Sequence, residues 1–317
     1  MAITLFTNSS AMSANNALQK ANSTLSSAME HLGTGKRINK ASDDAAGLQV
    51  ATRLQGQTNG MAVAQRNIAD ASTMLQTGEG AMDEVSNIMY RMKDLATQGA
   101  TDTNTADSRK AIDAELTSLN TELTSIMGNT SYAGNKLFSD TTASDGKGGT
   151  TTTAKAKMGA AMTFQTGSES GETTKVDVSS QLNTVLSSIT SLSTASVQDT
   201  AKVDEVKDSD GTVTTAAKAA TSGTANANAL IDTLNSALDN VSSLRSAFGA
   251  SINGLSHASS NLTNMKDNTD QALGNIQDAD FASEASKMTR SQMLAQTSTS
   301  MLKQSNSMSS LVMSILG

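Results

Sequence analysis

Apolar residues toward the start of the chain recur in sevens. Ala11, Ala14, Leu18, Ala21, Leu25, Ala28 and Leu32 follow alternating steps of three and four, the seam of a coiled-coil-like helix. The Gly33-Thr34-Gly35 break ends this helix and a polar bend follows from Lys36 to Lys40. A second helix is predicted to start near Ser42, with its hydroxyl as the cap and Asp43 and Asp44 in the first turn. Along it Leu54, Met61, Ile68, Leu75, Met82, Met89 and Ala96 lie seven apart, and Ala64, Ala71, Gly78, Val85 and Met92 fill the complementary positions. A seven-residue repeat this long predicts left-handed supercoiling against partner helices. Gly56, Gly60, Gly78 and Gly80 each cost about 1 kcal/mol relative to Ala, so this helix depends on packing. After a turn from Gly99 to Asn104, a third helix carries Ile112, Leu116, Leu119, Leu123 and Ile126.

The pattern changes after Gly128. From Asp140 to Lys157 the chain is rich in Thr, Gly and Ser and reads as loop. Alternation at Met162 to Gln165 and again at Thr173 to Val178, with Gly167 to Gly171 between, predicts one β-hairpin. A short helix follows around Leu182, Leu186 and Ile189, and the stretch from Ala195 to Gly223 is polar without strong periodicity. Helical seams return at Ile231, Leu234, Leu238, Val241, Arg245, Phe248, Ile252, Leu255 and Leu262. The final segment carries Phe281, Ala285 and Met288, then Leu294, Met301, Met308 and Ile315 with Ser298, Ser305 and Val312 between. Two helical ends with matching seams are expected to pair and bring the termini together. The fold class is therefore mainly α: long antiparallel helices in a coiled-coil-like bundle, with a small hairpin and a short variable middle.

Composition sharpens this picture. Aromatic residues are 2% of the 317, Pro and Trp are absent, and Met reaches 17. Such a chain builds thin seams between helices rather than one thick core, and without Pro nothing forces a break in a long helix. The Met-rich seams read as adaptable packing. A net charge of -7 argues against a nucleic-acid partner. No apolar run reaches the roughly 18–20 residues of a membrane-spanning helix, and Met1 to Asn8 does not read as a secretory signal. Cys is absent, which removes disulfides and thiolate ligands.

The balance of energies points to assembly. Burying Leu18, Leu25 and Leu32 supplies ~5–9 kcal/mol, whereas ordering some thirty residues costs about 1–2 kcal/mol for each one before helix hydrogen bonds offset part of it. The ends are thus expected to be disordered in the monomer and to fold when many subunits share a core. Heterologous contacts that do not close into a ring give an open helical filament.

Several stretches resemble one family. Gly35 to Gly47 (GKRINKASDDAAG) is very similar to the N-terminal signature of bacterial flagellins. Arg66 to Asp70, Gln76 to Ala81 and Asp94 to Gln98 are similar to its core segments in order, as are Leu244 to Ala250, Ile276 to Ala282 and Gln296 to Gln304. The resemblance spans roughly residues 1–140 and 225–317. It implies a filament subunit of swimming motility that polymerises with itself, exported unfolded without a cleaved signal and located outside the cell on the flagellum. It also implies an inner tube of paired terminal helices, a surrounding layer of long helices, and a variable outward middle. On that basis residues 1–43 form the N-terminal tube helix and bend, and 44–139 the N-terminal layer helices. Residues 140–223 form the hairpin and outer region, 224–275 the C-terminal layer helix, and 276–317 the C-terminal tube helix. The assembly seam is Leu18, Leu25, Leu32, Leu294, Met301, Met308 and Ile315. The implied partners are an export chaperone at Phe281 to Gly317, the filament cap and the hook-junction proteins. A vertebrate innate immune receptor is a further partner, meeting Arg91, Leu95, Gln98 and Glu115, the same face serving otherwise for subunit packing. Tyr90 departs from the Gln usual before that Arg.

Other chemistry is weaker. Asp208 to Gly211 starts like a calcium loop but lacks the later ligands, and Gly146 to Thr150 lacks phosphate-loop spacing. His31 and His257 lie in separate helices and show no nucleophile partner, so no catalytic residue, cofactor or metal site is expected. The competing functions are a hook–filament junction protein, which shares terminal helices without growing long filaments, and a secreted coiled-coil adhesin or binding module.

Overall fold

The computed structural model describes residues 8–139, 141–144, 150–154, 156–198, 206–207, 213–215 and 222–316. Six helices run through it: α1 Ser9–Thr34, α2 Ala45–Gly99, α3 Ala106–Asn129, α4 Ser179–Ser193, α5 Gly223–Gln277 and α6 Phe281–Leu316. Eight short strands are β1 Ser131–Tyr132, β2 Asn135–Lys136, β3 Thr141–Ser144, β4 Thr150–Ala154, β5 Met162–Gln165, β6 Thr173–Val176, β7 Val206–Lys207 and β8 Val213–Thr215. They pair in sequence order as four antiparallel two-stranded ladders. The architecture is mainly α. Two compact units divide the chain, Met1–Gly60 with Asn264–Gly317, and Met61–Thr263.

In the second unit α2 and α5 run antiparallel. Gln65 donates to the Thr263 hydroxyl at 2.9 Å, and Arg245 pairs with Asp83 at 3.0 Å, so numbering falls on one helix as it rises on the other. The heptad positions Met61, Ile68, Leu75, Met82, Met89 and Ala96 are all buried in a core shared with α3, α4 and the β5–β6 hairpin. On α5 the fully buried line is Ala227, Leu230, Leu234, Ala237, Val241, Leu244 and Phe248. Of the seam read from sequence, Leu234, Val241, Phe248, Leu255 and Leu262 are buried, whereas Ile231, Leu238, Arg245 and Ile252 run along the edge of this stripe, partly exposed. An apolar stripe wide enough to meet several neighbours offers two heptad lines, and periodicity alone does not rank them.

Gly78 shows why a glycine sits in the middle of α2. A Cβ there would come within 3.1 Å of the Met158 methyl, so the missing side chain makes room for Met158.

The sequence expected a single hairpin, and β5–β6 is that hairpin, with Met162 opposite Val176 and Gln165 opposite Thr173. Three further ladders form, two of them, β3–β4 and β7–β8, in stretches read as loop or as aperiodic. Runs such as Thr150 to Thr153 are β-branched and fit an extended backbone. They carry no apolar alternation, so the period-two signal was missing. The candidate loops at residues 146–149 and 208–211 lie outside the described residues.

In the first unit the flagellin-like stretch from Gly35 to Gly47 is a hydrogen-bonded corner. Gly35 ends α1 in the left-handed region at φ 71. Arg37 N–H donates to the Gln277 carbonyl at 2.7 Å, its guanidinium to the Ile276 carbonyl at 2.8 Å, and Ala279 N–H to the Gly35 carbonyl at 3.0 Å. Ile38 is fully buried beside them. Ser42 does not cap α2, because the chain is still turning there and the helix starts at Ala45. Asp44 accepts from Gly47 N–H at 2.8 Å, while Asp43 turns back to accept from Asn39 and Lys40 N–H at 3.0 and 2.9 Å. A Cβ on Gly47 would meet Asp44 and Ile38 Cδ1, the latter at 2.7 Å, so a side chain here would force both of those side chains to shift.

Two outcomes follow from this packing. Leu75→Ala removes a fully buried side chain and should lower unfolding free energy by about 2–5 kcal/mol in urea titrations, against less than about 0.5 for the exposed Val63→Ala. The two backbone donors hold the Asp43 carboxyl below its ordinary value. Its contribution is present above that ordinary value and lost as pH falls through the lowered one, so amide protection at Asn39 and Lys40 should drop as the pH is taken below the ordinary carboxylate range. Asp43→Asn should remove that pH dependence.

Candidate assembly interface

Helices α1 and α6 pack along one another in the first unit. Asn8 caps α1 by accepting from Ala11 N–H at 3.2 Å, and its amide donates to Ser305 Oγ at 2.8 Å. At the other end His31 Nδ1 lies 3.7 Å from the Glu284 carboxylate. The pair is therefore antiparallel and brings the ends of the chain together. Asp280 caps α6 by accepting from Ala282 and Ser283 N–H at 2.9 and 3.2 Å.

The side chains that fill the contact are small. On α1 the buried positions are Ala21 and Ala28, seven apart, with Ala14 half-buried one heptad earlier. On α6 they are Ser291 and Ser298, also seven apart, with Ser305 half-buried one heptad later. Met288, Ala295 and Leu302 complete the alternating steps of four and three along α6. Short side chains let two helices approach closely, so the contact gains from many backbone-level van der Waals pairs rather than from large apolar side chains. Glu284 is the exception, a buried carboxylate held by Lys287 at 2.7 Å.

Within the chain, the matching apolar lines of the two ends do not pair as expected on α6. Leu294 and Met301 do not face α1; they remain 52% and 59% exposed. The serines written between them occupy the contact instead. Leu18, Leu25 and Leu32 are half-buried along its flank. The side chains of Met308 and Ile315 lie outside the described residues. Sequence reasoning also missed Met12, Met29 and Met293, which stand exposed on the same two helices, as does Phe281. Three serines at heptad spacing opposite three alanines were the available signal, but a search for large apolar residues passes over them.

In the second unit Arg91 and Glu115 are brought together, the guanidinium 2.6 Å from the carboxylate, and both are exposed. Gln98 is exposed as well. Leu95, 3% exposed, points into the core and shares no open face with them. A polar staple gathers where the variable stretch leaves and returns. Asp113 accepts from Val197 N–H and from Gln198 Nε2, Asn226 donates to the Gln198 carbonyl at 2.6 Å, and Arg109 donates to the Thr224 hydroxyl at 3.2 Å. Among the described residues no group of three or more His, Asp or Glu is placed to hold a metal ion, and no helix is long and apolar enough to cross a membrane.

Paired terminal helices with apolar side chains turned outward define a helical protein of the self-associating class. Comparison with known proteins agrees. Residues 5–143 match the bacterial flagellin N-terminal helical region and residues 231–316 the bacterial flagellin C-terminal helical region. The chain is 34% identical to Flagellin B of Vibrio cholerae and 33% identical to Polar flagellin F of Vibrio parahaemolyticus, each across the full length of both proteins. Among solved structures, Bacillus cereus flagellin is 28% identical with a TM-score of 0.41, covering 62% of this chain and 88% of that one. A putative flagellar hook-associated protein from Vibrio parahaemolyticus shares the fold at 18% identity and a TM-score of 0.50, covering 74% and 100%. The chain belongs to the bacterial flagellin family, and its function is that of a structural subunit of the extracellular flagellar filament.

A larger side chain should disrupt the close contact. Ser298→Leu is expected to destabilise the α1–α6 pair by about 1–3 kcal/mol, measured in assembled filaments as lost hydrogen-exchange protection along α1 while α2 to α5 keep theirs.

Proposed function

We propose that the subunit polymerises through the outward face of the α1–α6 pair. The observation that carries this reading is the exposure of Leu294 and Met301 on a helix whose contact with α1 is already filled by small residues. Covering each such side chain with a neighbouring subunit contributes roughly 1.5–3 kcal/mol, and the repetition of that gain along a filament is what a single subunit lacks. Met308 and Ile315 continue the heptad line of Leu294 and Met301 and belong to the same seam. The terminal helices gain most of their order on joining the polymer, as expected where local burial does not offset ordering entropy.

In this reading residues 1–43 and 276–317 line the inner tube, 44–139 and 224–275 form the layer around it, and 140–223 project outward. The role is structural, without catalysis. The subunit is exported unfolded without a cleaved signal. An export chaperone covers the segment from Phe281 to Gly317 beforehand, since its apolar residues would otherwise associate early. Hook-junction and cap proteins meet the same terminal helices at the two ends of the filament. Arg91, Gln98 and Glu115 give a vertebrate innate receptor a polar face, without the Leu95 side chain, and the Arg91–Glu115 pair serves equally as a subunit-packing contact.

Seeded growth tests the assembly reading. Leu294→Ser with Met301→Ser should leave the monomer's helical circular dichroism unchanged and abolish elongation from sheared filament seeds in electron microscopy. Normal filaments from this variant would place the assembly seam elsewhere.

A further inference from the structure

Methionine is sorted by unit. In the second unit Met61, Met74, Met82, Met89, Met92 and Met158 are buried in the core. On the terminal helix pair Met288 is half-buried in the contact, but Met12, Met29, Met293 and Met301 are 60%, 49%, 57% and 59% exposed. The chain has no cysteine and no tryptophan, so methionine is its main readily oxidised side chain. A thioether on an assembly surface adapts well to a neighbouring helix. The same atom is the one that a peroxide attacks.

We propose that Met12, Met29, Met293 and Met301 form a reversible oxidation site that controls whether the subunit can join a polymer, a reading that rests on the assembly role of the α1–α6 outer face. The oxidant is a hydroperoxide. The sulfur lone pair attacks the terminal peroxide oxygen, the O–O bond breaks, and an S–O bond forms. Proton transfer to the departing oxygen releases water from hydrogen peroxide, the thioether being oxidised by two electrons and the peroxide reduced by two. The product is a polar, chiral sulfoxide in place of an apolar contact, and thiol-dependent sulfoxide reductases reverse it. Oxidation follows exposure, so the core methionines remain reduced while the terminal ones react. Covering the outer face in a filament shields them, which confines the sensitivity to subunits not yet incorporated.

The test treats full-length monomer with dilute hydrogen peroxide, maps sulfoxides by peptide mass spectrometry and measures seeded elongation. Sulfoxide at Met12, Met29, Met293 and Met301 before any core methionine is expected, with elongation falling about tenfold or more and recovering after treatment with sulfoxide reductases and dithiothreitol. In a variant carrying Met12→Leu, Met29→Leu, Met293→Leu and Met301→Leu, seeded elongation should change less than about twofold on adding peroxide, measured against the same variant without it. Peroxide-insensitive growth of the wild type overturns the proposal, and so does equal loss of growth in the four-leucine variant. Preformed filaments should show several-fold slower oxidation at the four positions; oxidation as fast as in monomer, with elongation still lost, would instead count against the assembly reading of this face.

Discussion

The close contact between α1 and α6 is the constraint on which the rest depends. Because Ala21 and Ala28 meet a face of Ser291 and Ser298, the contact is thin, and it leaves Met12 and Met29 on α1 and Phe281, Met293, Leu294 and Met301 on α6 exposed. A helix pair of this kind gains little from its own burial. It is completed from outside. In the proposed assembly, small residues hold the two ends of one chain together and the large exposed ones are left for other chains.

The corner from Gly35 to Gly47 turns the contact into a defined geometry. Backbone and guanidinium hydrogen bonds from Arg37 to the carbonyls of Gln277 and Ile276 tie the exit of α1 to the approach of α6. Asp43 and Asp44 satisfy N–H groups on opposite sides of the bend, and Gly47 leaves the space that Asp44 and Ile38 need. The second unit follows a different logic. Its heptads bury Met, Leu, Ile and Phe fully, and polar staples at Arg109, Asp113 and Asn226 close the base of the variable stretch. The second unit buries its apolar seams within the chain, and the first leaves large apolar side chains exposed.

Much of this was legible in the sequence because helical periodicity is a strong signal over long stretches. The bounds of α1, the buried line of α2 and the β5–β6 hairpin came directly from spacing. The faces of α5 and α6 were harder. On α5 two apolar lines lie side by side, and the choice between Leu230 and Ile231 depends on where the neighbours sit. On α6 the rule that large apolar residues face the partner failed, because Leu294 and Met301 serve no partner within the chain. Burial of Leu95 was hidden for a related reason: position in a motif does not reveal which side of a helix its neighbours occupy. The cap of α2 at Asp44 rather than Ser42 turned on the hydrogen bonds of the bend, which local propensity does not resolve.

Hydrogen exchange compared between monomer and filament tests the central claim most directly. Protection along α1 and α6 should rise by orders of magnitude on polymerisation, while the buried stretch of α2 from Met61 to Ala96 changes little. Equal and high protection of α1 and α6 in both states would show that the terminal pair is complete within one chain, and would contradict the account.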